Sequence, residues 1–186
     1  TMRDVVFHGV ASDVYRQSVI NGIQEDTSYR VGFAHTLKFG FSASAERSLV
    51  NNGSTVLPLD PMGNPVDAPF SVFDSSAKTG VLFSTSLADE WKVPNNLTVN
   101  AGLRFDQMCQ YVDANQFSPR LSMTWKPTEG TTFHAGYART FTPPPQVVAA
   151  PTNLALVQNT TQQPAVSADD PVLPERANVF DIGVVQ

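Results

Sequence analysis

Apolar and polar residues alternate with a period of two along several segments of the chain. The clearest segment runs from Leu97 to Asp106, where every odd position is apolar and almost every even position is polar. Successive side chains of a β-strand point to opposite faces of a sheet, so this pattern predicts strands with one apolar and one polar face. Helical periodicity is almost absent. The sequence therefore predicts an all-β protein.

The alternation predicts about eight strands. They lie near residues 5–14, 27–34, 37–48, 78–91, 96–110, 117–126, 131–141 and 176–186. Through residues 29–41 the alternation continues in a single parity, with His35 as the exception on the apolar side. The second and third segments are therefore also compatible with one long strand.

The connections between the predicted strands have two lengths. Residues 92–95 and 127–130 are short and contain Pro, Asn or Gly, which is typical of tight turns between antiparallel strands. Segments at about residues 49–77 and 142–174 are long and rich in Pro, Asn, Ser and Thr. Short and longer connections alternate along the chain, which places them at opposite ends of an antiparallel sheet. Outer-membrane β-barrels have this asymmetry, with short periplasmic turns and long extracellular loops.

The apolar face of such a sheet could meet either lipid or a protein core. Trp91 and Trp125 each lie at a strand end beside a short turn, where barrels carry an aromatic girdle. A register slip of one residue would turn Arg104 and Asp106 toward lipid, and an arginine at mid-bilayer costs about 2–4 kcal/mol. Arg139 shares the apolar parity, so we expect it near the interface, just before the second long loop.

Composition agrees with a membrane barrel and excludes several other classes. Charged residues make up 16% of the chain, against about 25% in ordinary soluble domains. No stretch reaches the roughly 18 apolar residues of a transmembrane helix. The net charge is −5 and no Lys/Arg-rich face is visible, which argues against a nucleic-acid partner. The single cysteine, Cys109, excludes an internal disulfide.

The sequence offers no catalytic, metal or cofactor motif. His8, His35, His134 and Cys109 have no metal-ligand spacing. Residues 60–67 resemble a calcium loop in their Asp and Asn content, but two prolines and the missing bidentate Glu favour a plain surface turn. We therefore expect a protein that is not an enzyme and that needs no cofactor.

Three groups of motifs resemble the β-barrel of TonB-dependent receptors. The first is Asp89-Glu90-Trp91-Lys92 followed by Leu97-Thr98-Val99-Asn100-Ala101-Gly102-Leu103-Arg104-Phe105-Asp106. The second joins Phe117-Ser118-Pro119-Arg120-Leu121 and Trp125-Lys126-Pro127 to the run from His134 to Pro144. The third is Pro174-Glu175-Arg176 with Phe180-Asp181-Ile182-Gly183-Val184. The resemblance is strong over about residues 78–186 and rests mainly on alternation before that.

The resemblance implies a 22-stranded outer-membrane barrel of a Gram-negative bacterium with a plugged lumen. It implies uptake of a scarce small-molecule solute, such as siderophore-bound iron or cobalamin, driven by the TonB system. Its partners would be outer-membrane lipid, TonB and a plug domain. Residues 1–186 would form an open, curved, antiparallel transmembrane segment of that barrel, without the plug. The sequence starts without a signal-peptide pattern and stops inside a predicted strand, so we expect an internal part of a longer receptor.

Four residues of the polar face are candidates for the lumen wall of that barrel, namely Arg104, Asp106, Arg120 and His134. They could contact a solute, although pairing with each other or with the plug is the favoured interpretation. The alternative to the receptor is a soluble or secreted β-sandwich that binds a ligand. A sandwich would bury Leu97, Leu103, Leu121 and Trp125 between two sheets.

Overall fold

The computed structural model describes residues 2–7, 10–165 and 171–186, with side chains from residue 11 onward. These residues form eight strands that pair in sequence order in a single antiparallel sheet. The strands are β1 (Met2–Phe7), β2 (Val10–Val31), β3 (His35–Val56), β4 (Phe70–Val93), β5 (Leu97–Cys109), β6 (Asp113–Thr128), β7 (Thr131–Thr142) and β8 (Glu175–Val185). A short 3-10 helix covers Leu154–Leu156. The predicted all-β antiparallel fold is confirmed.

Each strand pairs with the next because tight turns reverse the chain at one end of the sheet. The turns at residues 32–34, 94–96 and 129–130 all lie at this end, which we call the short-turn end. Asn95 and Asn96 have φ values of 65° and 58°, a left-handed conformation that asparagine tolerates better than most residues. The register between β6 and β7 shifts between Trp125 and Thr128, and Pro127 in this interval has no N–H to donate to a ladder.

The strand bounds differ from the prediction at the start of the chain. Residues 27–48 form parts of two strands, β2 and β3, so the single-strand alternative is wrong. The predicted strand 5–14 spans the end of β1 and the start of β2, and His8 between them lies outside the described residues. Residues 15–26 belong to β2, although no strand was predicted there. The polar residues Gln17, Asn21 and Glu25 interrupt the alternation on the otherwise apolar face of this segment.

The chain divides into two compact units, to which β2, β3 and β4 each contribute residues. Unit 1 comprises Thr1–Ile20, Glu46–Gly80 and Pro145–Val172, and unit 2 comprises Asn21–Ala45, Val81–Pro144 and Leu173–Gln186. Within the described residues, no helix is long and apolar enough to cross a membrane.

The two faces of the sheet in unit 2 have opposite character. Large apolar side chains on one face stay exposed, including Leu103 at 48%, Leu121 at 53% and Trp125 at 43%, while Leu97 is half-buried. We call this the apolar face, and the opposite one the polar face. The polar face carries buried polar residues, among them Ser84, Asp106, Gln116 and Ser118. A sandwich would have enclosed the four apolar side chains, so this alternative is wrong.

Candidate functional site

Two of the four candidate residues form an ion pair on the polar face. Arg104 Nε lies 2.8 Å from Asp106 Oδ1, and Arg104 Nη2 donates to Ser84 Oγ at 3.0 Å. Ser84 Oγ in turn lies 2.7 Å from Ser42 Oγ on β3. The register explains this arrangement, because Ser84 is directly opposite Asp106 and two residues from the partner of Arg104. The guanidinium is therefore held on two sides, in agreement with the favoured interpretation that these residues pair with each other.

His134 pairs with a residue that sequence analysis had not singled out. Its Nε2 lies 3.3 Å from Asp181 Oδ2 on β8. Gly183 is directly opposite His134, and a Cβ at Gly183 would overlap the imidazole ring. The absence of a side chain at Gly183 therefore lets the ring lie against β8 and reach Asp181. The sequence signal for this pair is the glycine two residues after Asp181, which becomes informative only once the register is known.

Arg120 is the candidate that remains free to contact another molecule. It is exposed, and in the described part of the chain no carboxylate lies within ion-pair distance of it. Its partners across the sheet, Gly102 on β5 and Ala138 on β7, are small. The long Arg120 side chain therefore has a small residue on either side of it on the polar face.

A groove of about 470 Å³ brings three of these charged residues together in unit 2. Arg104, Arg120 and Asp181 line it, and Gly102 and Gly136 are among its small lining residues. Positively and negatively charged side chains around small residues can bind a polar small molecule or an extended peptide.

His35, the exception in the apolar pattern, has a specific environment at the short-turn end. Its Nδ1 lies 2.6 Å from Asp89 Oδ2, and its ring stacks on Trp91 with centroids 5.7 Å apart. Both partners lie on the apolar face with it. The pairing with a carboxylate and an aromatic ring explains how this polar side chain is accommodated among apolar neighbours. On the polar face nearby, Lys38 Nζ lies 2.9 Å from Glu90 Oε2.

The two longest connections pack against each other in unit 1. They cover residues 57–69 and 143–174, of which 145–172 belong to unit 1 and 166–170 lie outside the described residues. The first is shorter than the predicted loop 49–77, because β3 extends to Val56 and β4 begins at Phe70. Leu59 N–H donates to Asn159 O at 2.8 Å and Thr161 N–H donates to Leu57 O at 3.0 Å. Val56, Val72 and Val157 form a small buried cluster beneath this pairing. The described parts of the two loops are therefore joined by backbone hydrogen bonds and a small core.

Gln146 anchors the second long loop to the strands of unit 1. It is fully buried, and its Nε2 donates to Lys78 O at 2.7 Å and to Ser48 Oγ at 2.9 Å. Ser48 lies on β3 and Lys78 on β4, so one side chain bonds to two neighbouring strands. The loop is consequently held at its start by Gln146 and further along by Val157.

Replacing Gln146 by alanine should loosen this loop, because the side chain that bonds to both strands is lost. Removing a buried hydrogen-bonding partner costs about 1–3 kcal/mol, so cleavage within residues 147–165 should become about tenfold faster in limited proteolysis. Gln158→Ala is the matched control, since Gln158 is exposed on the same loop. Equal cleavage rates in both variants would show that Gln146 does not hold the loop.

Residues 60–67 form the plain surface turn that the sequence favours. Asp60 Oδ1 accepts hydrogen bonds from the backbone N–H groups of Met62 and Asn64, both at 2.8 Å. The bond from the Asn64 backbone is the main cause that holds the pKa of Asp60 below its ordinary value. The carboxylate is thus used within its own turn. The prediction that the chain binds no metal stays a prediction.

An antiparallel sheet with one apolar and one polar face has the architecture of a β-barrel segment, and comparison with known proteins identifies its family. Residues 4–185 match the family described as "TonB dependent receptor-like, beta-barrel". The chain therefore belongs to the TonB-dependent receptor β-barrel family, a class of transport receptors. None of the curated proteins compared with it matches the sequence.

The comparison with solved structures matches the siderophore receptor PiuA from Acinetobacter baumannii. The TM-score is 0.48 and the sequence identity is 16%. The match covers 94% of this chain and 29% of that receptor. The chain thus spans less than a third of the length of the protein it matches.

Proposed function

We propose that the chain is part of an outer-membrane receptor that takes up a scarce small-molecule solute, such as siderophore-bound iron or cobalamin, with energy from the TonB system. The observation that carries the proposal is the contrast between the two faces of one sheet. One face exposes apolar side chains such as Leu121 and Ile182, whereas the other carries Arg104, Asp106 and Arg120. Lipid can cover the apolar side chains of the first face, and a watery lumen can solvate the charged side chains of the second.

The solute would meet this segment at the polar face. Arg120 is the charged group of the groove without an ion-pair partner among the described residues, so it is the one best placed to contact a solute or the plug. Arg104 and Asp106 already neutralise each other and would keep the wall of the lumen in shape. A plug domain and TonB enter as partners through family membership, as does the Gram-negative outer membrane as location.

Location and orientation can be tested by cysteine labelling in cells that produce the receptor containing this chain. Cys109→Ser removes the single thiol of residues 1–186, and any other cysteine of the receptor is replaced by serine in the same way. Met62→Cys then places a thiol in the first long loop, and Glu129→Cys places one in a short turn; both positions are exposed. A membrane-impermeant maleimide added to intact cells should label Met62→Cys and spare Glu129→Cys until the cells are lysed. Labelling of Glu129→Cys alone would show that the orientation is the reverse of the one proposed. Equal labelling of both variants in intact cells would show that no membrane separates the two positions.

Uptake is the second readout in the same cells. Accumulation of radiolabelled ferric siderophores or cobalamin should require the receptor and should stop when a protonophore removes the proton gradient. Arg120→Glu should reduce uptake if solute passes this wall. Arg16→Glu, the same change at another exposed arginine, is the control outside the groove. Accumulation that is independent of the receptor for every solute tested would contradict the proposed function.

A further inference from the structure

We propose that Arg139 and Arg176, with Asn178 between them, bind the phosphate group of a glycolipid headgroup in the outer leaflet. The inference rests on the proposed membrane location and concerns the apolar face, which a transported solute does not touch. On β7 the side chains of Arg139, Tyr137 and Phe141 lie on this face, and on β8 those of Arg176, Asn178 and Phe180 lie on it. All of these residues belong to unit 2.

The register brings the three polar side chains into one patch. Arg139 is directly opposite Asn178, and Arg176 is directly opposite Phe141. Side chains directly opposite in an antiparallel pair have Cβ atoms about 4.5–5.5 Å apart, and diagonal neighbours lie about 7–8 Å apart. Arg139 and Arg176 are such diagonal neighbours. Two guanidinium groups at this spacing can reach one phosphate together.

Neighbouring side chains orient two of the three groups. The Arg176 guanidinium lies over the Phe141 ring, with Cζ 5.8 Å from the centroid, and its Nη2 donates to Asn115 O at 3.3 Å. Tyr137 O–H donates to Asn178 Oδ1 at 3.0 Å, which leaves the Asn178 Nδ2 group to donate outward. The patch therefore presents hydrogen-bond donors, in the arrangement that phosphate oxygens accept.

Neither arginine forms an ion pair with a described residue. The surrounding positions of this face on the described strands β6, β7 and β8 are Asp113, Asn115, Phe117, Pro119, Leu121, Tyr137, Phe141, Asn178, Phe180 and Ile182. Asp113, at the start of β6, is the acidic residue among these positions, and the two arginines outnumber it. The patch therefore carries a net positive charge, which an anion from outside the protein can neutralise.

The depth of the patch fits the headgroup region. Trp125 and Phe133 stack with centroids 5.7 Å apart near the short-turn end, which marks one aromatic girdle. Counting from Phe133, Phe141 is the ninth residue, and a membrane-crossing strand has about 9–11. Arg176, opposite Phe141, therefore lies at the far boundary, and the flexible Arg139 side chain can extend to it. This boundary adjoins the loop 143–174, so the lipid is that of the outer leaflet.

Binding of lipid A by the purified receptor that contains this chain, in neutral detergent micelles, tests the proposal, with native mass spectrometry as the readout. Arg139→Gln combined with Arg176→Gln should weaken binding of diphosphorylated lipid A by about tenfold or more, because charge-assisted hydrogen bonds are lost. Arg16→Gln combined with Arg30→Gln is the matched control, since it removes two exposed arginines on β2 that belong neither to the patch nor to the groove. Circular dichroism verifies that both variants keep their strands.

Each outcome separates the lipid site from the membrane location. Equal weakening in the control, or equal binding of dephosphorylated lipid A, would overturn the phosphate site. Insertion of the receptor into phosphatidylcholine vesicles, followed by the blue shift of its tryptophan fluorescence, reports the location independently. Normal insertion of both variants with selective loss of lipid A binding would support the site. Failure of the unmodified receptor to insert would overturn the membrane location, and the lipid site with it.

Discussion

Replacing Leu121 by arginine is expected to lower the free energy of unfolding in a lipid bilayer by about 2–4 kcal/mol, the cost of an arginine on the lipid side of a barrel near the midplane. Leu121 is 53% exposed on the apolar face of β6. Its partners across the sheet, Ala101 and Tyr137, lie on the same face. None of them offers a carboxylate that could neutralise the new charge. The free energy can be measured by urea titration of the receptor that contains this chain, folded in lipid vesicles.

Ser122→Arg is the matched control for this substitution. Ser122 is the next residue on β6, and its side chain lies within reach of Asn100 on the polar face, with Asn100 Nδ2 and Ser122 Oγ 3.4 Å apart. An arginine there would face the aqueous lumen, so we expect a change of less than about 1 kcal/mol. If Ser122→Arg proved as costly as Leu121→Arg, or if neither had an effect, the assignment of lipid to the apolar face would be wrong.

Replacing Gly102 by alanine should have the second large effect, because the neighbouring strand leaves no room for a methyl group. A Cβ at Gly102 would lie 2.8 Å from Ala88 Cβ and 3.1 Å from the Leu87 carbonyl oxygen. Neither atom can turn aside as the tip of a long side chain can. Overpacking of this kind costs about 1–3 kcal/mol. Because Gly102 also lines the groove with Arg104 and Arg120, the substitution should move the groove wall as well.

Gly136→Ala distinguishes this steric effect from the general cost of changing a strand glycine. Gly136 lines the same groove, but its nearest neighbour to a new Cβ would be the Leu121 carbonyl oxygen at 3.8 Å, an ordinary contact. Alanine there should be neutral or slightly stabilising, since glycine weakens strand interiors. The same urea titration measures both variants. A loss at Gly136 equal to that at Gly102 would show that close packing at Gly102 is not the cause.

The part of the fold with regular alternation could be predicted from sequence because each residue contributes independently to a period of two. The predicted segments 96–110, 117–126 and 131–141 correspond closely to β5, β6 and β7. β2 was missed over residues 15–26 because polar side chains occupy positions of its apolar face. There, backbone pairing with β3 stabilises the strand without help from the hydrophobic pattern.

The candidate site was predictable in composition but not in its contacts. Parity alone assigned Arg104, Asp106, Arg120 and His134 to one face. It could not show that Asp106 neutralises Arg104 or that Asp181 approaches His134. Those contacts depend on which residues of neighbouring strands are opposite each other. The register is set by the turns and by long-range pairing, and it leaves little trace in a single sequence.

The period-two pattern alone therefore specified an antiparallel sheet with an apolar and a polar face, since side-chain direction in a strand follows from backbone geometry. The tertiary structure decided which charges are neutralised, which glycines have no room for a Cβ, and how the long loops pair. Leu59 bonds to Asn159 and Gln146 to Ser48 across about a hundred residues. Such contacts form only when the intervening strands have assembled, because hydrogen bonds between distant segments depend on positions in space rather than on local sequence.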